Sequence, residues 1–296
     1  MAVIMVTGGA GQLATAMEQE GGAVVRRVGR PEFDFDRPSS IAEAVQAAQP
    51  TLVVNAAAWT AVDAAEAEPE AAGRANRDGP AALAAHCADA GIPLIHVSTD
   101  YVFDGTKGAP YTEDDPTNPT GVYGATKLEG EQAVLAACPH AVVLRTSWVY
   151  SATGKNFVRT MLAAAQKNPR LRVVADQRGC PTAARDLAVA ILAVAARLRD
   201  GWQDQYAGVF HAAGTGSTTW HGLAVALFED AAIYGHPAPT VDAIATADWP
   251  TPARRPPDSR LDCTKLAEVF DVRLPEWRGG LSRVVAELLA APALRP

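Results

Sequence analysis

Thr7-Gly8-Gly9-Ala10-Gly11-Gln12-Leu13-Ala14 is the stretch on which the fold turns. It follows the short apolar run Ala2–Val6 and opens a helical pattern that extends from about Gln12 to Glu20. Gly9, Gly11 and Ala14 fit G-x-G-x-x-A, and Gly8, Gly11 and Ala14 fit G-x-x-G-x-x-A. Residues this small let backbone N–H groups approach a pyrophosphate, and the helix N-terminus adds partial positive charge. A glycine triplet alone is weak evidence, because any tight strand-to-helix turn uses glycine. Its place after the first strand of an alternating chain turns it toward dinucleotide binding.

That alternation continues outward from the turn. Ala23–Val28, Thr51–Asn55, Pro93–Ser98 and Ala141–Thr146 are apolar runs of strand length. Helical patterns separate them over Ser39–Ala48, Glu66–Ala90 and Tyr123–Ala137. Strands alternating with helices predict right-handed βαβ units and a parallel sheet covered on both faces. A (βα)8 barrel would alternate too, but the pattern weakens after Thr146. The expected fold is therefore α/β, a Rossmann-like doubly wound sheet with a smaller C-terminal substrate-binding lobe. Helices are expected over Asn156–Lys167 and Ala184–Arg199, and a late strand over Val209–Ala212. Residues 235–260, rich in proline, read as loop outside the core. Residues 1–150 would form the dinucleotide-binding domain with 183–212 returning to it, and 151–182 and 213–296 the lobe.

Composition narrows the class. The 296 residues suit one large domain or two, and 48% hydrophobic residues supply a sizeable core. The formal charge of −7, with no basic run, argues against a nucleic-acid partner. No apolar stretch is long enough to span a membrane, and an N-terminus that runs into the glycine turn without a basic n-region is not expected to act as a signal peptide. Cys87, Cys138, Cys180 and Cys263 show neither disulfide nor metal spacing, which predicts a reduced, cytoplasmic protein with no membrane partner.

Two groups of residues carry chemistry. Tyr123 and Lys127 stand four apart, on one face of a helix. Upstream, Ser98-Thr99-Asp100 ends the fourth strand, the edge where open α/β sheets bind ligands. A hydroxyl, a phenol and an ammonium form a proton-donor set suited to carbonyl reduction, the lysine lowering the tyrosine pKa from about 10. Thr99 would bond the carbonyl oxygen as it gathers charge. The second strand ends Arg26-Arg27-Val28-Gly29-Arg30 with no acid before Glu32, which points to NADPH over NADH, with Arg30 at the 2′-phosphate. Arginines that merely cover a solvated sheet edge would read the same way, so NADH stays possible.

With these residues in hand the chain resembles the extended short-chain dehydrogenase/reductases, and within them the dTDP-4-dehydrorhamnose reductases. The wider likeness rests on the glycine turn, Asn55-Ala56-Ala57-Ala58, the run Ser98 to Gly105 and Tyr123-x-x-x-Lys127. The closer one rests on Ala61-Val62-Asp63-x-Ala65-Glu66, Arg145 to Tyr150, Asp176-Gln177-x-Gly179-x-Pro181-Thr182 and Arg255-Pro256-x-x-Ser259-x-Leu261-Asp262. This resemblance implies that Thr99, Tyr123 and Lys127 are catalytic. It implies that Gly8, Gly11, Gln12 and Leu13 line the cofactor pyrophosphate, Asp34 and Phe35 the adenine, and Ala57, Ala58 and Thr60 the floor beneath. Asp100, Tyr101 and Trp148 would touch a dTDP-linked 4-keto-6-deoxy sugar, and Arg255 its diphosphate. Some members of that family are magnesium-linked dimers held by glutamates, one near the first helix. Ala16 and Gln19 flank that region here, so no obligatory metal is expected, and the protein is expected as a monomer or homodimer. A ketoreductase for another dTDP-deoxysugar, or a non-catalytic subunit keeping the reductase fold, would show related motifs.

Other residues receive plainer readings. Trp148 and Tyr150 either stack a ring at the cleft mouth or pack against the lobe. Arg254, Arg255 and Arg260 either neutralise a diphosphate or solvate a loop. His96 and His211 read as core, and Asp63 and Glu66 as residues that shape the loop after the third strand.

Overall fold

Six strands carry the alternation into one parallel sheet: β1 (Ile4–Val6), β2 (Val25–Arg27), β3 (Leu52–Asn55), β4 (Leu94–Thr99), β5 (Ala141–Thr146) and β6 (Gly208–His211). The computed structural model describes residues 3–290, so Ala2 and the last six residues assigned to the lobe lie outside it. The strands lie in the order β6-β5-β4-β3-β1-β2, with Ile4 opposite Val25 and Leu52, and Thr99 opposite Thr146. Every residue of β1, β3 and β5 is buried, as continuous apolar runs in a sheet covered on both faces should be.

The pleat divides these side chains between two cores. Ile4, Val6, Leu52, Val54, Val142 and Leu144 pack against the helices α1 (Gln12–Gly21) and Ala184–Asp200. Met5, Val53 and Val143 pack on the other face, against α2 (Ser39–Ala48), α3 (Gly79–Asp89) and α4 (Val122–Ala137). A further core joins Val158 and Leu162 of α5 (Phe157–Ala165) to Leu223 and Leu227 of Trp220–Ala232 and Leu281 of Trp277–Leu289. Among the described residues no helix is long and apolar enough to cross a membrane.

Two expectations need correction, and one open alternative is resolved in favour of packing. The segment read as one helix over Glu66–Ala90 is broken into Val62–Ala67, Pro69–Gly73, a π turn over Arg74–Asp78, and α3. Pro69 and Pro80 stand at helix starts, where a missing N–H costs nothing. The loop expected over 235–260 contains the strand Thr240–Ile244, paired in parallel with Arg170–Val174, and it buries Ala253 and Ser259. Both strands lie in a two-stranded sheet, so neither carries the continuous apolar run that marked the central strands. Tyr150 is buried in the lobe core, its hydroxyl donating to the Trp277 carbonyl at 3.2 Å.

Candidate active site

From β1 the chain crosses to β2 on one side, and from β3 it proceeds to β4 on the other. The connections part beyond the C-terminal ends of β1 and β3, the place where open α/β sheets leave a crevice. A cleft of about 930 Å³ opens there.

The glycine turn forms one wall. Gly8 and Gly9 have φ of +108° and +53°, which only glycine adopts without strain. A Cβ on Gly8 would lie 3.0 Å from the Ala56 carbonyl oxygen, and one on Gly29 2.4 Å from Gly9 Cα. The backbone of this wall is therefore exposed to a ligand without side chains in the way. The first bond of α1 runs from Thr15 N–H to Gly11 C=O, and no side chain caps the helix start. The amides of Gln12, Leu13 and Ala14 have no intrahelical acceptor, and no acidic side chain occupies the first turn. This is the donor set a pyrophosphate requires.

The structure brings nearly all the predicted residues to this cleft. Gly8, Gly11, Gln12, Leu13, Arg30, Asp34, Phe35, Ala57, Ala58 and Thr60 all line it. Thr99, Asp100, Tyr101, Tyr123, Lys127 and Trp148 line it as well. Arg30 is the one arginine of the β2 end that faces the cleft, and Asp34 and Asp36 share its charge at 3.0 and 3.1 Å. Arg26 donates to the Ala47 carbonyl and Arg27 to Gly9, away from the opening.

Arg255 is the exception, because it lies outside the lining. Its guanidinium forks onto Asp63 at 3.1 and 2.9 Å and reaches the cleft only through the neighbouring Tyr101 phenol. Arg260 is likewise committed, donating within its own loop to Asp258 at 2.8 Å. Glu66, read as a loop-shaping residue, accepts from Val122 N–H at 2.8 Å and so satisfies an orphan donor at the start of α4.

Thr99 sits at the end of β4, where its hydroxyl accepts from Tyr101 N–H and donates to Asp100, each at 3.2 Å. Ser259 donates to the other oxygen of Asp100. Burial nonetheless pushes this carboxyl up to about 7, the hydroxyl bonds opposing it. Burial also pushes Tyr123 up to about 12, with the Thr99 bond pulling the other way. This overturns the expectation that Lys127 holds the phenol below its usual range. The Lys127 amine donates instead to the Val97 carbonyl at 2.7 Å, and burial draws it down to about 8 against the pull of Glu131.

Trp148 has φ of +48°, unusual for so bulky a residue, and stacks on Trp220 with centroids 3.6 Å apart. Both indoles line the cleft, so Trp148 faces the opening and packs against the lobe at once.

The family model described as RmlD substrate binding domain matches residues 1–290. The chain belongs to the RmlD substrate binding domain family. A dTDP-4-dehydrorhamnose reductase from Sinorhizobium fredii (strain NBRC 101917 / NGR234) is 46% identical to it over 97% of each chain. A crystal structure of a dTDP-4-dehydrorhamnose reductase from Clostridium acetobutylicum is 34% identical and superposes with a TM-score of 0.89, covering 96% of this chain and 99% of that one. The Bacillus anthracis reductase, solved in complex with NADP, is 31% identical with a TM-score of 0.87, covering 97% of this chain and all of that one (100%). For a chain of the RmlD substrate binding domain family, such coverage places all three cores and the cleft inside the likeness.

Several cleft residues had no local signal. Lys155 and Asn156 line it from the loop before α5, and Gln12 accepts from Ser151 and Asn156, each at 2.9 Å, tying that loop to α1. Asn76 on the π turn is buried and exchanges bonds with the Trp59 backbone at 2.8 and 3.2 Å, holding the segment that carries Ala57 to Thr60. A π turn inside a helical run is common at functional sites, but it cannot be read from apolar periodicity.

Proposed function

We propose that this chain reduces the 4-keto group of dTDP-4-dehydro-L-rhamnose, giving dTDP-L-rhamnose, with NADPH as reductant. The carrying observation is that Thr99, Tyr123 and Lys127 meet in one cleft with an uncapped, glycine-walled helix start. Similarity to dTDP-4-dehydrorhamnose reductases, one of them solved with NADP, supports the substrate and the cofactor.

In this reading the nicotinamide, when bound, supplies the hydride to C4. The glycine wall and the amides of Gln12, Leu13 and Ala14 hold the pyrophosphate, with Asp34 and Phe35 toward the adenine, Arg30 toward the ribose phosphate, and Ala57, Ala58 and Thr60 beneath. Tyr123 gives its phenolic proton to the C4 oxygen. A phenol pushed up to about 12 is fully protonated at neutral pH, so the donor is loaded before substrate arrives. Thr99 orients the carbonyl, and Lys127 holds the cofactor ribose and resupplies Tyr123. Asp100, Tyr101 and Trp148 contact the sugar nucleotide, and Arg255 contributes by fixing Tyr101. Residues 1–150 with 183–212 bind the cofactor, and 151–182 with 213–296 the sugar. An intact donor set facing one cleft supports an enzyme over a non-catalytic subunit. We also propose a cytoplasmic monomer or homodimer without nucleic-acid or membrane partners or an obligatory metal.

Tyr123→Phe tests the reading. Loss of the phenolic proton should cut kcat by roughly 10²- to 10⁴-fold while the Kd for NADPH stays within a few-fold. NADPH oxidation is followed optically and the sugar product identified by NMR. Near-normal turnover of the variant, or a product other than the rhamnose, would overturn the assignment.

A further inference from the structure

His96 is fully buried on β4 and has no part in the mechanism above. It nevertheless touches the lysine of that mechanism. Its Nε2 lies 3.4 Å from Lys127 Nζ, and its Nδ1 lies 2.9 Å from the Asn55 amide nitrogen. Which imidazole nitrogen carries the hydrogen follows from Asn55. The Asn55 Oδ1 accepts from the Ala57 backbone N–H at 3.2 Å and from the Thr7 hydroxyl at 2.6 Å. Because a backbone N–H only donates, the atom facing it is the oxygen and the atom facing His96 is the NH2 group. Nδ1 is then an acceptor, and the neutral ring carries its hydrogen on Nε2, pointing at Lys127.

We propose that His96, locked by Asn55 as the Nε2–H tautomer, is a positioning residue that presents a donor to Lys127 and so disfavours its ammonium form. An ammonium has only donors and would meet the imidazole N–H head-on. A neutral amine accepts from Nε2–H through its lone pair, donates one hydrogen to the Val97 carbonyl, and keeps another for the cleft. The lysine thereby exchanges its proton near neutral pH instead of holding a permanent charge, which suits a group that reloads Tyr123.

No other contact overrides this. Glu131, one turn along α4, favours the ammonium, but both its oxygens are bound by Arg145, at 3.0 and 2.7 Å. Asp100 faces Tyr123, and Asn76 on the π turn binds Trp59 and Thr126. Arg77 and Asp78 of that turn pair outward with each other, and Arg77 also with Glu129. Burial of His96 keeps the ring neutral, and Lys127 beside it adds to that effect.

The inference rests on Lys127 and Tyr123 being the catalytic set, so the pH profile of kcat/KM for keto-sugar reduction is measured alongside Tyr123→Phe. His96→Phe keeps the ring shape and removes the donor. Asn55→Asp keeps Oδ1 and replaces the amide donor by an acceptor, which inverts the tautomer and turns Nε2 toward Lys127 as an acceptor. Both variants should move the alkaline limb upward by about half a unit to one unit, Asn55→Asp the further. A role confined to packing would lower activity or melting temperature and leave the limb in place. An unmoved limb in active variants overturns the inference, whereas an active Tyr123→Phe overturns the catalytic reading instead. Should the variants fail to fold, ¹⁵N imidazole shifts of the wild-type protein decide: an unprotonated Nδ1 in His96 supports the tautomer, and a protonated Nδ1 refutes it.

Discussion

Gly130→Ala should slow this enzyme from a position outside the cleft lining. Gly130 lies on α4, three residues beyond Lys127, and faces the π turn. A Cβ there would stand 1.9 Å from the Asn76 carbonyl oxygen and 3.5 Å from Arg77 Cα. Both are backbone atoms, so no rotamer change relieves the overlap. Ordinary contact begins near 3.4 Å, so the helix and the turn must separate by about 1.5 Å. Tyr123 and Lys127 ride on that helix, and Asn76 holds the Trp59 backbone of the cleft-lining loop. A misplacement of that order should cut kcat/KM by about 10- to 100-fold. Overpacking should cost about 1–3 kcal/mol, against about 1 kcal/mol that alanine gains over glycine in a helix. The net effect is a melting temperature lower by a few degrees. Gly279→Ala, whose Cβ would have only the Arg283 guanidinium at 3.6 Å, is the control and should melt at or above the wild-type temperature. Scanning calorimetry and NADPH oxidation read both effects. A Gly130→Ala protein with full turnover and an unchanged or raised melting temperature would show that the helix does not depend on this contact.

Three further outcomes follow from the same cleft. Asp100, raised by burial from 3.8 to about 7, is protonated below about pH 4 whether folded or unfolded. Between about pH 4 and 7 only the unfolded chain releases the proton, so stability falls by a few kcal/mol as pH rises and levels off above 7. Asp100→Asn should therefore stabilise the fold more at pH 8 than at pH 5 in urea unfolding, and an equal gain at both would contradict this. Arg30→Ala should raise the KM for NADPH several-fold with little change for NADH, since its charge is already shared with two aspartates. Exhaustive EDTA treatment should leave turnover intact, and a loss restored by Mg²⁺ would reverse the reading.

The features legible in the chain were those written locally. Apolar runs of four to six residues located β3, β4 and β5, because strands buried on both faces have no polar side to hide them. The glycine turn was readable because its φ values leave little choice of residue. Long-range pairings were not. Arg255 looked free for a diphosphate because its partner, Asp63, lies 192 positions earlier. Asn76 gave no warning because its bonds reach 17 positions back and 50 forward. The expected low pKa of Tyr123 failed for another reason. Spacing puts an ammonium on the same helix face, but burial and the direction of the amine decide whether the phenol feels it.

The reacting side chains owe their placement to groups without chemistry. Glu66 caps the first turn of α4, and Gly124 lets that helix approach Tyr101 so closely that a Cβ would fall 2.2 Å from its carbonyl oxygen. Gly130 repeats the device against Asn76 two turns later. Pinned at three points, α4 has little freedom to rotate, and Tyr123 and Lys127 enter the cleft in fixed directions. The same economy applies to charge. The chain carries −7 overall yet must hold anionic nucleotides, while Arg255 and Arg260 are spent on neighbouring aspartates. Among the described residues, the cleft wall offers phosphate the open start of α1, Arg30, Lys127 and Lys155. Affinity for an anion here is a property of where a few donors point, and the global charge does not predict it.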